Sequence, residues 1–375
     1  MPVFVGQRVE RPYRKIATRF WDSHLHGRNA EDGMLIAVAK DVQVRSCGGI
    51  LMCNTKPLLL TCADVQKYLF TEWRPHLTNE KLVPTIYLTQ HTDPEHILLA
   101  CKFVIIARMK WYPPGHQQST NSVTPEMLMP REGKVGKLLA MMEREGIPLL
   151  LHGEVAYWDH EELPQEDREA FFIKNILPSI RSTFNKLRIS LEHISTLEAA
   201  EYMEEHGHPY YLVCTITAHH LALDSRDLYQ GGFLRGVLHC LPIVKHLRNK
   251  YALHKLLMGK YDFVLAGTDL APHDMERKTA YCCGGGLYTG HCSVELYLEV
   301  LEMLGLLEYA DAFFYGNAKL FHMDLVPDNP EMVEFETKDW QVESTVPYAE
   351  GHTFSPFGYF PAPADRWTFT WAVAA

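Results

Sequence analysis

The sequence predicts an α/β fold, a (β/α)8 TIM-type barrel. Short apolar, β-branched runs alternate with longer amphipathic segments along most of the chain, as expected of βα units around a parallel sheet. Eight such runs occur, and 375 residues suit one barrel with insertions. No Gly-x-Gly-x-x-Gly follows the first run, which argues against the competing reading, an open doubly wound sheet with a phosphate-cradling loop.

Three regions follow: a polar lead-in over 1–17, the barrel over 18–325, and a C-terminal extension over 326–375. The strands are expected at Phe20–His24, Gly49–Cys53, Thr85–Leu88, Phe103–Met109, Pro148–His152, Arg188–His193, Tyr211–Ile216 and Phe263–Gly267. Helical spacing of apolar residues runs through Asp32–Val42, Cys62–Phe70, Pro94–Lys102, Gly133–Glu145, Asp167–Phe184, Thr196–His206, Leu241–Met258 and Cys292–Leu304. Two connections are long. Pro113–Thr124 is polar and led by Pro and Gly; such loops in compact domains are lids or disordered. Ala271–Gly290 follows the eighth strand and carries Gly284-Gly285-Gly286. The extension is rich in proline, acidic residues and aromatics, too short for a domain, and expected to pack on the barrel or on a partner subunit.

Composition narrows the function. A formal net charge of −10 argues against a nucleic-acid-binding surface. The apolar runs are strand-sized, so no membrane span is expected. The N-terminal stretch lacks a charged-then-apolar signal pattern, and nine cysteines are scattered without a Cys-x-x-Cys pair. A reducing, cytoplasmic setting is therefore expected, with no disulfide framework. The 20 histidines invite a search for metal ligands.

Barrel chemistry sits at the C-terminal ends of the strands. The first expected strand leads into His24-Leu25-His26, and period 2 puts both imidazoles on one face. The other strand ends offer Asn54, Lys110, His152, His193 and Asp269, with His91 and His219 about three residues beyond theirs. Imidazole and carboxylate suit zinc. Four histidines and an aspartate exceed what one open tetrahedral ion needs, and suggest two ions about 3.5–4 Å apart. Lys110 cannot ligate as an ammonium, which has no lone pair. Buried beside cations it would become neutral and could add carbon dioxide, giving a bridging carbamate. The alternative is a lysine snorkelling at the barrel rim.

The segments His24-Leu25-His26-Gly27-Arg28, Met52-Cys53-Asn54, Lys110-Trp111-Tyr112-Pro113, Leu151-His152-Gly153-Glu154, Leu191-Glu192-His193, Cys240-Leu241-Pro242 and Gly267-Thr268-Asp269-Leu270-Ala271-Pro272-His273 resemble the dihydroorotases of the amidohydrolase superfamily. The likeness is to their stand-alone bacterial and fungal class, in matching order over roughly residues 18–320. It implies reversible cyclisation of N-carbamoyl-L-aspartate to L-dihydroorotate, a step of pyrimidine biosynthesis. It implies two zinc ions, one on His24, His26 and Asp269, the other on His152 and His193, bridged by N6-carboxylated Lys110 and a hydroxide. Asp269 would be the general acid/base. Arg28, Asn54 and His273 would hold the substrate carboxylate, and the backbone of Leu241 and of the Gly285 region its amide edge. Hydroxyls of Ser119 and Thr120 would belong to a lid. The resembled class is usually homodimeric, so a homodimer acting on a small molecule is expected, with no nucleic-acid or membrane partner.

Three departures stand out. Gly27 precedes Arg28, Cys53 replaces a usual proline, and Ser119-Thr120-Asn121 lies about two residues further along than the family's Thr-Thr-Asn. Two rivals stay open. A hydantoinase or allantoinase type would share the metals but have no use for Arg28. An inactive barrel scaffold would be expected to have lost ligands, whereas all six are present.

Overall fold

The computed structural model describes residues 12–29, 33–77, 81–103, 108–115, 121–230, 233–342, 346–358 and 367–374. Its centre is a parallel sheet of β1 (Asp22–Leu25), β2 (Gly48–Leu51), β3 (Lys81–Tyr87), β4 (Arg108–Trp111), β5 (Leu149–Leu151), β6 (Ile189–Leu191), β7 (Leu212–Ile216) and β8 (Val264–Ala266). Each pairs in parallel with the next in chain order. The ring closes just past β8, where His26 N–H donates to Leu270 O at 3.0 Å and Asp269 N–H to His24 O at 2.8 Å. The described strand residues are buried, as expected of parallel strands covered by helices.

The helices face this ring with the spacing read from the sequence. In Met34–Arg45 the buried positions are Leu35, Val38, Ala39 and Val42, one apolar stripe. Arg45 at its end donates to Glu295 of helix Ser293–Met303 at 2.8 and 3.0 Å, tying the first helix to the last.

Several expected elements change. The fourth strand is Arg108–Trp111 because the preceding helix extends to Phe103; residues 104–107 lie outside the described set. The helix expected over Asp167–Phe184 is split into Arg168–Asn175 and Leu177–Thr183. Pro178 sits in the first turn of the second piece, where its missing N–H costs nothing; inside one long helix it would break the ladder. The helix expected from Leu241 begins at Leu247, since Pro242 disfavours helical backbone at Leu241. Helix Cys62–Lys67, capped by Thr61 and Asp64, widens into a π-type turn through Trp73.

The chain's two flanks meet. Lys15–Thr18 pairs antiparallel with Val333–Gln341, which pairs in turn with Thr368–Val373. This sheet lies on helix Ser293–Met303, where Trp367 and Trp371 donate their indole N–H groups to Glu299 and Glu302 at 3.1 and 3.0 Å. A hairpin, Val346–Ala349 and His352–Phe354, reaches the barrel mouth, where Tyr348 Oη donates to Asp274 at 2.8 Å. Among the described residues, no helix is long and apolar enough to cross a membrane.

Candidate active site

The C-terminal ends of the strands gather the polar residues. His24 and His26 leave β1 with their Nε2 atoms 3.3 Å apart. Asp269 Oδ1 lies 2.9 Å from His26 Nε2 and 3.2 Å from His24 Nε2. The outer nitrogens have partners that fix the tautomers. His24 Nδ1 makes a short hydrogen bond to Glu192, whose other oxygen accepts from Ser190. His26 Nδ1–H donates to Asn54 Oδ1 at 2.6 Å. When both rings are neutral with the proton on Nδ1, two Nε2 lone pairs and a carboxylate oxygen converge. Three acceptors in contact call for a cation, and outer partners of this kind are the usual second shell of a metal-bound histidine.

The second pair sits beside the first. His152 Nδ1 lies 3.1 Å from His193 Nε2, and His152 Nε2–H donates to Glu154 at 2.9 Å. The His24 and His193 ring centroids are 4.9 Å apart. Burial holds His152 and His193 well below the ordinary histidine pKa and lowers His26 to about 4, keeping these rings neutral. Burial alone would raise Asp269, but His24 and His26 beside it hold its carboxyl well below the usual range.

Lys110 ends β4 fully buried, and its Nζ has no hydrogen-bond partner among the described residues. Burial lowers its pKa towards the neutral amine. A positive charge on it disfavours protonation of His24, His152 and His193, which belong to both pairs. The donor set of His24, His26 and Asp269 therefore fits a metal ion, with His152, His193 and Lys110 beside it.

On the neighbouring side, Arg28 Nε donates to Pro272 O at 3.0 Å, and its Nη2 lies 3.2 Å from His273 Nε2. That nitrogen is also 3.2 Å from Gly285 O. It cannot accept from Arg28 and donate to Gly285 at once, so the His273 tautomer decides between them. Gly285 packs on Leu241: a Cβ there would stand 3.1 Å from the leucine side chain. Gly27 is required for packing, since a Cβ would fall 2.0 Å from the Trp73 ring. Arg28, His193 and Asp269 all have positive φ (59°, 42° and 46°), a strain of about 1–3 kcal/mol each that clusters at functional sites.

Of the residues singled out in sequence, His24, His26, Asp269, His152, His193, Lys110 and Asn54 come together, with Arg28, His273, Leu241 and Gly285 adjoining each other. Ser119 and Thr120 lie outside the described residues. His91 is exposed and belongs to neither group. Sequence reasoning missed Glu192, although it adjoins His193, and Asp22, which accepts from Thr268 N–H at 2.9 Å and Thr268 Oγ1 at 2.6 Å. It also missed Lys278. This buried ammonium donates to the carbonyls of His239, Gly284 and Gly286 at 2.7, 2.9 and 2.9 Å, strapping the two segments that flank Leu241 and Gly285. No local pattern announces it, because its partners are carbonyls distant in sequence.

A closed (β/α)8 barrel with histidine, lysine and aspartate at these strand ends defines an enzyme of the amidohydrolase superfamily. No family model matches the chain. A mitochondrial dihydroorotase of Oryza sativa is 32% identical over 344 residues, covering 91% of this chain and 81% of the relative. A dihydroorotase of Cupriavidus metallidurans is 32% identical over 336 residues, covering 89% and 93%. The chain belongs to the dihydroorotase family. Solved structures agree in fold. Dihydroorotase from Saccharomyces cerevisiae in complex with 5-fluoroorotic acid superposes with a TM-score of 0.83 at 23% identity, covering 96% of this chain and 98% of that one. The Campylobacter jejuni dihydroorotase gives 0.80 at 24% identity, covering 98% and 99%.

Proposed function

We propose that this enzyme interconverts N-carbamoyl-L-aspartate and L-dihydroorotate, closing and opening a cyclic amide bond. The observation that carries the substrate is Arg28, a guanidinium bonded, among the described residues, only to a carbonyl and an imidazole beside a metal-type cluster. A substrate carboxylate would complete it in bidentate fashion. His24, His26 and Asp269 would hold one zinc ion, His152 and His193 a second, with carboxylated Lys110 between them. Bound zinc would polarise the ring carbonyl and make water a nucleophile near neutral pH.

This chain's own groups then do the rest. Asp269 accepts the proton of the attacking water and passes it to the departing ring nitrogen; in cyclisation the proton travels the other way. Asn54, oriented by His26, offers its NH2 to the substrate carboxylate, and His273 joins Arg28 there. The backbone of Leu241 and Gly285 holds the amide edge. The eight cysteines whose side chains are described are free, which supports a cytoplasmic setting. A homodimer is proposed from the family resemblance, and sedimentation of the purified protein checks it.

The decisive assay follows dihydroorotate by ultraviolet absorbance with and without a chelator. Turnover that stops with chelator and returns with zinc is the expected result. A preference for dihydrouracil or hydantoin would move the chain to the hydantoinase type. Arg28→Gln should raise KM for dihydroorotate by about 10²-fold, since two charge-assisted hydrogen bonds are worth roughly 3 kcal/mol together. It should leave the small turnover of carboxylate-free rings unaffected.

Lys278→Met should raise KM by about tenfold, the equivalent of ~1.4 kcal/mol, with a smaller change in kcat. Burial, reinforced by Arg28, lowers Lys278 to about 8. Above that pH the neutral amine has two N–H groups for three carbonyls, so wild-type KM should rise as pH passes 8. The methionine variant should show a high KM without that break. A pH-independent wild-type KM would remove the loop-positioning role of Lys278.

A further inference from the structure

A second group of metal-type side chains lies outside the constellation above. His219 and His220 sit in the short helix Ala218–Ala222 after β7, and Cys240 lies at the end of the connection that follows. All three are buried, and their ligand atoms lie within 4.8 Å of one another. His219 is the anomaly. Both its ring nitrogens are buried without a hydrogen-bond partner among the described residues, whereas buried polar groups are ordinarily satisfied.

The other two side chains point at one place. His220 Nε2–H donates to Pro242 O at 3.0 Å, and Cys240 Sγ–H donates to the same oxygen at 3.2 Å. His220 Nδ1 lies 2.8 Å from Thr217 Oγ1, and a hydroxyl accepts as readily as it donates. The ring can therefore carry its proton on Nδ1 instead, without moving, and present the Nε2 lone pair beside the sulfur.

We propose that His219, His220 and Cys240 form a third metal site, distinct from the zinc pair, for a borderline or soft divalent ion such as zinc or cadmium. Two imidazoles and a thiolate are the donor set such ions select. On binding, the Cys240 S–H bond breaks, its proton goes to solvent and a sulfur–metal bond forms. The His220 proton moves from Nε2 to Nδ1, and no group changes oxidation state. Both hydrogen bonds to Pro242 O are given up, and a water completes the tetrahedron.

Cadmium titrated onto the full chain loaded with two zinc ions tests this through the thiolate-to-cadmium charge-transfer absorption, with X-ray absorption at the cadmium edge to read sulfur in the first shell. The expected result is a sulfur-ligated ion at one per chain, absent in Cys240→Ser and bound at least tenfold more weakly in His219→Leu. The leucine variant breaks no side-chain hydrogen bond to the described residues and keeps the test open should Cys240→Ser fail to fold. Absence of a sulfur signal in the wild type would overturn the site. So would a signal that survives Cys240→Ser, which would assign it to another thiol such as exposed Cys282. The zinc-pair residues include no sulfur, so a sulfur signal without two nitrogen- and oxygen-bound ions would sink the pair and leave this site standing.

Discussion

Asp269→Asn is expected to lower kcat for dihydroorotate by on the order of 10²–10⁴-fold, the usual contribution of a positioned acid–base group, while most of the metal stays bound. Asparagine keeps an oxygen where Oδ1 now lies, 2.9 Å from His26 and 3.2 Å from His24, so a neutral ligand atom survives. It also tolerates the left-handed backbone at this position, φ 46°, and keeps the N–H that closes the barrel against His24 O. What it cannot do is accept a proton at that oxygen. Steady-state kinetics and elemental analysis on the same sample separate the two effects. Near-normal kcat at full metal content would remove Asp269 from proton transfer.

Lys110→Ala should abolish measurable turnover and reduce bound zinc from about two ions per chain to about one. The amine makes no hydrogen bond to the described residues, so its loss breaks none of these; what disappears is the proposed bridge. Lys110→Met, which keeps the volume of a fully buried side chain, separates that loss from the cavity an alanine leaves. The wild-type protein, loaded with zinc in labelled bicarbonate, should show a carbamate carbon by nuclear magnetic resonance. An unmodified amine in fully metal-loaded protein, or two zinc ions retained by the methionine variant, would refute the carbamate.

The barrel was legible because parallel strands covered on both faces are written as continuous apolar runs, and helices as a stripe. The candidate ligands were legible because a barrel gathers strand ends, so His24, Lys110, His152, His193 and Asp269 could be read one run at a time. Contacts made across the chain were not. Glu192 orients His24 from 168 residues away, and Asn54, expected at the substrate carboxylate, holds His26. Gly27, a departure from the family pattern, has a packing reason in the Trp73 ring that lies against it. Pro178 marks the helix break locally, but the apolar period runs straight through it. The pairing of the lead-in with the extension carries no local signal at all, because an edge strand of four residues is specified by its partner.

That pairing also sets a clock on the ribosome. Tyr13 hydrogen-bonds to Glu336, 323 residues later in the chain. At about 5–20 residues per second, roughly 16–65 s separate the synthesis of the two partners. Throughout that interval the strand Lys15–Thr18 has an open edge and no mate, while β1 beside it waits for Asp269 and Leu270 to close the ring. The flanking sheet and the ring therefore close only after these late segments are made, and the nascent chain carries an open strand edge in the meantime.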